Sequence, residues 1–470
     1  MADEKRGEGT VQALARIVLE AGETAFSDSI MRAAQLLLLD TIGCGIAGAS
    51  EEVARAIADV ALQAGGKPEC VLVGRPEKTN MRNAVLVNGA TIRVLDLNDY
   101  LIRTFKGEPE TGGHPSDLIP VALAVGAARK CSGAAILQSI IIGYELYARL
   151  QQMMDRSGAW DSVTASGIVA PAMAGWLLGL DQDRLAQGIA LGAARAATPS
   201  IVRTGDISST KSIASAAVAE AGVQGALLAE HGMTGPLAIL DDERGLRDLF
   251  ASGDRAVLTA PIPARSAVMR AHVKAYPCVN TAQSAVAAAL RLHEILNGDV
   301  DRLSHVSIVM ADYRVIKRHQ DDPGRNHPQS REAADHSFPF LVAVTLIDGA
   351  LGAAQFENKR WHDPKVKTLM SRIGMSRDAR WNTRAPGAYP CTIQVRDSDG
   401  REHMAEVPYP PGFSLSGVDE AAVMAKFHAV AAPVLAPSAR ERIVDAVMDF
   451  HHSPSTGTLD AAISTQGFSH

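Results

Sequence analysis

The feature that most constrains the fold of this chain is a succession of Ala- and Gly-rich segments with helical periodicity. Apolar residues recur at steps of three and four, beginning with Val11, Leu14 and Val18 and continuing as far as residue 231. Small side chains let helices approach closely, and aromatic residues make up only 4% of the chain, which disfavours an aromatic-rich β-sandwich. Local helices joined by short connections predict an all-α bundle. Beyond the helices of residues 10–65, they are predicted at about 83–95, 119–129, 133–150, 163–178, 183–197, 211–231 and 244–251.

The periodicity changes after Pro261. Val306, Ile308 and Met310 occupy every second position, which is typical of a β-strand, and two alternating segments flank an Asp/Gly-rich turn at 397–400. These segments, 392–396 and 403–407, predict a hairpin. Helical periodicity is predicted within and after this region at about 279–295, 337–349, 363–372, 418–431 and 438–447.

We therefore predict a mainly α protein in which both chain ends form one domain. The helical domain comprises residues 1–268 and 409–470, and a smaller α+β lid domain, 269–408, is inserted between them. The polar tail from His451 onward is expected to be partly disordered.

Charge and cysteine content disfavour several classes of protein. The 470 residues carry a net charge of -6, whereas a duplex-binding protein usually presents a basic face. The five cysteines are widely spaced and form no CxxC pair, which argues against zinc ribbons, Fe–S motifs and disulfide frameworks. The first nine residues lack the apolar core of a signal peptide, and the most apolar stretch, 163–180, contains Pro171 and favours a buried helix over a membrane span. We expect a cytoplasmic protein that binds neither nucleic acid nor membranes.

The first candidate site combines carboxylates with a histidine. Asp96, Asn98 and Asp99 follow the end of an apolar helix, and His114 precedes Pro115 after a 13-residue loop, 101–113, that looks able to close over a ligand. A carboxylate and an imidazole can share proton transfer. The alternative is that Asp96 caps the helix and His114 is a buried structural histidine.

Two further segments place a lysine near a helix start, where an anion is favoured. Lys211 follows Ser208–Thr210 and opens a long apolar helix, while Lys274 and Tyr276 precede another helix. Both lysines are candidates for binding an anion. The alternative is that Lys211 is an exposed lysine after an ordinary helix cap, and that Lys274 faces solvent beside a packed Tyr276. The spacing GxxxxGK is absent, so neither segment is a P-loop.

The last candidate segment is Asp335-His336, at the head of an apolar helix. No HExxH or paired-histidine spacing is present, which argues against a zinc site. A helix-capping Asp-His pair is the alternative to a substrate-binding histidine.

Taken together and in this order, the motifs resemble the MmgE/PrpD family, and most closely its 2-methylcitrate dehydratase branch. The resemblance covers about residues 36–431. It departs from the family at Tyr100, where relatives often have threonine, and at Ser162 and Val279, where relatives carry acid/base side chains. The stretches that carry it are Leu38–Gly48, Val87–Asp99, His114–Pro120, Ala226–Pro236, Lys274–Cys278 and His336–Gly349.

The resemblance implies a helical domain with an α+β lid, a homodimer, and catalysis without a metal or other cofactor. It also implies a cleft between the domains lined by Asp96, His114, Lys211 and Lys274. We expect His114 to transfer the proton, with Asp96 orienting it or acting on the substrate hydroxyl. The expected substrate-binding residues are Asn98, Tyr100, Lys211, Lys274, Tyr276 and His336.

The predicted function is a metal-independent lyase that dehydrates a small di- or tricarboxylic hydroxy acid of the 2-methylcitrate or citrate type. Fixed cations would stabilise the charge that develops as a proton is lost beside a carboxylate. Three alternatives remain open at this point: a cis-aconitate-type decarboxylase, a dicarboxylate epimerase or isomerase, and a non-catalytic binder of small anions.

Overall fold

The computed structural model describes residues 8–155, 160–263, 266–385 and 387–464. Helices dominate the N-terminal half of the chain, as the periodicity predicts. They are α1 (Thr10–Gly22), α2 (Asp28–Gly48), α3 (Glu52–Gln63), α4 (Met81–Arg93), α5 (Ile119–Arg129), α6 (Gly133–Met153), α7 (Ser166–Leu177), α8 (Gln182–Ala193) and α9 (Thr210–Glu230).

Small residues bring these helices into close contact. A Cβ atom built on Gly89 of α4 would lie 2.8 Å from the Cβ of Ala216 on α9, so only glycine fits at that crossing. The Asn80 and Ser132 side chains cap α4 and α6 by accepting hydrogen bonds from backbone N–H groups. The resulting first core contains buried apolar residues from Val11 to Val273.

The C-terminal helices return to the same core. They are α17 (Glu420–Ala431), α18 (Pro437–Met448) and α19 (Gly457–Ile463). Gly43 on α2 makes room for Phe427 of α17, and the cluster of buried residues that begins at Val11 ends at Ile463. Helices α2 and α9 are long and apolar enough to cross a membrane by length and composition, but 89% and 67% of their apolar windows are buried within the fold.

A second core runs from Cys278 to Val407 and is built on a four-stranded sheet. The strands are β5 (Leu303–Ala311), β6 (Ile373–Asp378), β7 (Cys391–Asp397) and β8 (Glu402–Val407). Their order in the sheet is β6-β5-β7-β8, with β5 parallel to β6 and the other pairs antiparallel. The β7–β8 hairpin is confirmed, with Cys391 opposite Val407. The helices of this second core are α10 (Gln283–Ile295), α11 (Arg314–Asp321), α12 (Pro323–Asn326), α13 (Arg331–Ala334), α14 (Phe338–Asp348), α15 (Pro364–Met370) and α16 (Trp381–Arg384). That this second core acts as a lid, with the domain boundaries given above, stays a prediction.

Two local expectations are wrong. Segment 244–251 forms turns instead of a helix, because the Leu246 N–H folds back onto the Ile239 carbonyl at 2.7 Å. The loop 101–113 contains a hairpin, β3 (Ile102–Phe105) and β4 (Glu108–Thr111), turned by Lys106 and Gly107 at positive φ. The start of the polar tail is ordered, since α19 buries Leu459 and Ile463; residues 465–470 lie outside the described residues. The remaining short strands, β1 (Cys70–Val71) and β2 (Lys78–Thr79), pair antiparallel.

Candidate functional site

A cavity of about 590 Å³ lies between the two cores and is lined by residues from both. Of the residues predicted from the sequence, four border it: Asp96, His114, Lys274 and His336. The first core also contributes Ser162, and the second contributes Val279, so two of the three positions that depart from the family pattern face this cavity. Its size is typical of a site for a small organic ligand.

Asp96 is the centre of a buried cluster of charges, which we call the Asp96 cluster. It follows α4 in the left-handed conformation, with φ of 50°, and receives Arg93 Nη1 at 2.6 Å and Lys211 Nζ at 3.1 Å. Lys274 Nζ donates to the same carboxylate and, at 2.7 Å, to the Asp96 carbonyl. Burial acts to raise the pKa of Asp96, but Arg93, Lys211 and Lys274 outweigh it and hold the pKa well below its usual range.

Lys211 bridges the two cores instead of facing the cavity. Its ammonium donates to both carboxylate oxygens of Asp335, at 2.9 and 2.7 Å, and its side chain is 1% exposed. It is absent from the cavity lining. The Asp96 carboxylate lies between the Lys211 and Lys274 ammonium groups and contacts both, so the two lysines already share an anionic partner within the protein.

Lys274 is fully buried against Asp96 and borders the cavity. Burial lowers its pKa to about 8, against the opposing effect of Asp96. An ammonium with that pKa is mostly protonated at neutral pH and gives up its proton far more easily than an ordinary lysine.

His114 borders the cavity as a neutral imidazole. Its Nδ1 lies 2.6 Å from the Asp99 carbonyl oxygen, which can only accept, so Nδ1 carries the proton and Nε2 keeps its lone pair. Burial, together with the charges of Arg93 and Lys274, lowers the pKa of His114 well below 6.5. The orienting contact comes from the Asp99 carbonyl and not, as expected, from Asp96. The result is a base with a fixed tautomer.

The Asp99 side chain lies behind His114 in a separate buried network. Its carboxyl group accepts hydrogen bonds from the Ser116 and Tyr144 hydroxyls, the latter at 2.9 Å. Burial raises the pKa of Asp99 to about 7, although these hydrogen bonds oppose the shift. This network holds the backbone that orients the histidine.

His336 provides a second imidazole at the cavity. Its Nδ1 donates to Asp335, which also contacts Lys211 and Arg331. The same Nδ1 lies 3.7 Å from Asp96 Oδ2. Burial and Lys211 lower the pKa of His336 to about 4, despite the neighbouring carboxylates. It is therefore neutral near pH 7.

Three other predicted residues lie outside the cavity lining. Asn98 is buried and donates to Ser116 Oγ at 2.9 Å and Asp117 Oδ1 at 2.8 Å. The ring of Tyr100 packs against His272, with centroids 5.3 Å apart. Tyr276 packs on the second core. In this structure their contacts are structural, and their predicted roles in substrate binding stay predictions.

Several lining residues were missed by the sequence analysis. Arg93 could have been found, since it lies one helical turn before Asp96 in the same motif. The others, Arg203, Asn280, Arg318, His319 and Arg325, reach the cavity only through tertiary packing and carry no local signal.

The Asp96, Asp335 and His336 side chains also meet the spacing of a metal site, with one donor atom of each within 4.8 Å of the others. Their chemistry does not fit a cation, however. The Lys211 and Lys274 ammonium groups and the Arg93 guanidinium already contact these carboxylates. A divalent ion there would be repelled by three positive charges in a buried site.

Comparison with known proteins gives matches over nearly the whole chain. Residues 12–259 match the MmgE/PrpD N-terminal domain, and residues 276–450 match the MmgE/PrpD C-terminal domain. Cis-aconitate decarboxylase of Mus musculus is 23% identical over 80% of this chain and 77% of its own length. The 2-methylcitrate dehydratases of Cupriavidus necator and Salmonella typhimurium are each 25% identical, over 80% and 88% of this chain and 80% and 89% of their own lengths.

Proposed function

The chain belongs to the MmgE/PrpD family, and on that premise we propose that it is a lyase acting on a small polycarboxylic hydroxy acid of the 2-methylcitrate or citrate type. The reaction is loss of water, by removal of a proton beside a carboxylate and departure of the neighbouring hydroxyl. Relatives named 2-methylcitrate dehydratase, at 25% identity, support the reaction class.

The observation that carries the proposal is the pairing of a neutral base with a protonated amine at one cavity. His114 Nε2 is free to accept a proton, whereas Lys274, with a pKa near 8, holds one. Neighbouring groups whose pKa values are pushed apart are the usual arrangement for acid and base roles in one reaction.

In the proposed mechanism, His114 Nε2 takes the proton from the carbon beside the substrate carboxylate. Arg93 and Lys274 stabilise the negative charge that develops on that carboxylate. The C–O bond then breaks as the double bond forms, and the Lys274 ammonium protonates the departing hydroxide to water. Proton exchange with solvent restores His114 and Lys274 to their starting states.

Decarboxylation is the second candidate, because relatives with that name match the chain to a similar extent. It shares an enolate-like intermediate but requires a proton to be delivered to carbon, with no initial proton abstraction. His114 is neutral near pH 7, because its pKa lies well below 6.5, and its Nε2 carries no proton to deliver to carbon, which favours dehydration.

The test is incubation of the purified protein with a panel of tricarboxylates and hydroxy acids. We expect absorbance in the enoate band to rise with a hydroxy acid, without release of carbon dioxide. Carbon dioxide release from an unsaturated tricarboxylate would instead identify a decarboxylase, and change of configuration without either product would identify an epimerase. No turnover with any member of the panel would support the non-catalytic binder.

The His114→Gln variant tests the role of the base. Glutamine retains a hydrogen-bonding side chain but does not titrate, so kcat should fall by about 100- to 10,000-fold with little change in substrate binding. Measurement of kcat and of substrate affinity by calorimetry separates the two effects. Near-normal turnover would remove His114 from the mechanism.

A further inference from the structure

We infer that Arg203 and Asn280 form a second anion subsite in the same cavity, which binds the central carboxylate of a tricarboxylic substrate. The inference deepens the proposed function and takes its substrate class from it: a ligand with a third carboxylate, beyond what the Asp96 cluster can bind. Both residues border the cavity, and their hydrogen bonds to Asp161 and Thr111 lie outside the Asp96 cluster.

The Arg203 guanidinium is anchored on one side by an ion pair with Asp161. Its Nε lies 2.9 Å from Asp161 Oδ2 and 3.1 Å from Oδ1, and Asp161 is itself fixed by the Val163 N–H at 3.0 Å. The Arg203 Nη2 group is buried and has no hydrogen-bond partner among the residues that the structure describes. An unsatisfied guanidinium N–H is costly in a buried position, and a carboxylate is the partner it matches best.

Asn280 supplies a second unsatisfied donor to the cavity wall. The residue is 2% exposed, and its Oδ1 accepts a hydrogen bond from the Thr111 hydroxyl at 3.0 Å, which fixes the orientation of the amide. Its Nδ2 group has no partner within the described ranges. Arg203 and Asn280 thus line the same cavity with one unsatisfied donor each, and the two oxygens of a carboxylate can accept from both.

The segment that carries Arg203 is clamped by the second core. Arg325 Nη2 donates to the Arg203 carbonyl at 3.1 Å, and Arg325 Nε lies 3.2 Å from Asp322. The Gly205 N–H in turn donates to Asp322 at 3.3 Å. The two cores therefore fix this wall jointly, so the subsite is built before a ligand arrives, which lowers the cost of binding.

Two inert probes isolate the contribution of the third carboxylate. Tricarballylate has three carboxylates and no hydroxyl to lose, while glutarate has the same carbon chain without the central carboxylate. Calorimetry at constant ionic strength should show that the wild-type protein binds tricarballylate more tightly than glutarate. Arg203→Gln should weaken tricarballylate binding by roughly 10- to 150-fold, as expected for loss of one charge-assisted hydrogen bond, and leave glutarate unchanged.

Asn280→Asp is the second variant, because it keeps the acceptor for Thr111 but places a negative charge at the subsite. It should also reduce selectivity for tricarballylate. Arg184→Gln is the matched control, since Arg184 is an exposed arginine on α8, and it should retain the wild-type ratio. If the wild-type protein does not prefer tricarballylate, or if both variants keep the preference, the subsite does not exist.

These outcomes are independent of the proposed function. A protein that selects tricarballylate through Arg203 but turns over no hydroxy acid retains the subsite and loses the lyase assignment. A protein that turns over hydroxy acids, with a tricarballylate preference unaffected by both variants, retains the lyase assignment and loses the subsite.

Discussion

At the scale of single residues, the cavity is defined by groups whose ionisation is set by their neighbours. Burial drives both His114 and Lys274 toward their neutral forms, but to different extents. His114 is neutral well into the acidic range, and Lys274 remains largely charged near pH 7 because Asp96 opposes the effect of burial. The same cavity can therefore hold a base and an acid together at neutral pH.

This separation predicts the pH dependence of the reaction. Activity requires neutral His114, so kcat/KM should rise as pH increases through a value well below 6.5. It also requires protonated Lys274, so activity should fall as pH rises through about 8. Rate profiles from pH 4 to 10 check both limbs, and Lys274→Arg should lower kcat and remove the basic limb, because a guanidinium does not give up a proton in this range. A wild-type profile that stays flat beyond pH 9 contradicts the role of Lys274 as acid.

We expect substitution of Lys211 to destabilise the fold. Lys211→Met removes the cation that contacts both Asp335 and Asp96, leaving two buried carboxylates short of a partner. Breaking one side of a buried ion pair costs about 3–5 kcal/mol, so the free energy of unfolding should fall by that order in denaturant titration. Lys317→Met, which removes an exposed ion pair with Asp321, is the control and should unfold like the wild type.

At the scale of elements, the position of α4 determines where Asp96 and Arg93 lie. Helix α4 packs on α9 through Gly89 and Ala216, and its last turn leads into the Asp96 cluster. Helix α9 begins beside Lys211. A shift between these two helices would therefore displace both Asp96 and its lysine partner.

Gly89→Val tests this crossing. The added side chain meets Ala216, whose Cβ cannot rotate away, and overpacking of this kind costs about 1–3 kcal/mol. We expect a lower midpoint in thermal unfolding. We also expect reduced turnover, because Asp96 lies just beyond the end of α4. Combining it with Ala216→Gly should recover part of the loss. If the double variant is no better than Gly89→Val alone, the crossing is not the cause.

At the scale of the whole molecule, the two cores are joined at the candidate site by buried ion pairs. Lys211 of the first core binds Asp335 of the second, and Lys274, between the two cores in sequence, binds Asp96 of the first. Of these four charged residues, Asp96 and Lys274 also border the cavity, whereas Lys211 and Asp335 are not part of its lining. Packing of the two cores against each other therefore also brings Asp96 and Lys274 together at the cavity.

The homodimer is a prediction at this same scale. Light scattering at micromolar concentration should give about twice the 49.6 kDa mass of one chain. The close packing of small-residue helices and the family resemblance both support it. A constant mass near that of one chain across a concentration series would rule it out.

The sequence by itself determined the helices, the main hairpin and part of the site. Periodicity is a local property, so α5, α6 and α9 lie close to their predicted bounds. Asp96, His114, Lys274 and His336 were found because each lies in a distinctive short motif. Segment 244–251 shows where the periodic pattern fails. A backbone hydrogen bond from Leu246 to Ile239, seven residues earlier, favours turns over a helix.

Only the tertiary structure decided which side chains meet. Lys211 and Asp335 are 124 positions apart, and the ion pair between them turns an expected ligand contact into a link between cores. The tautomer of His114 depends on a carbonyl 15 residues away, and the unsatisfied donors of Arg203 and Asn280 appear only once their surroundings are buried. Burial and charge depend on partners brought together by the fold, and no spacing within the sequence specifies them.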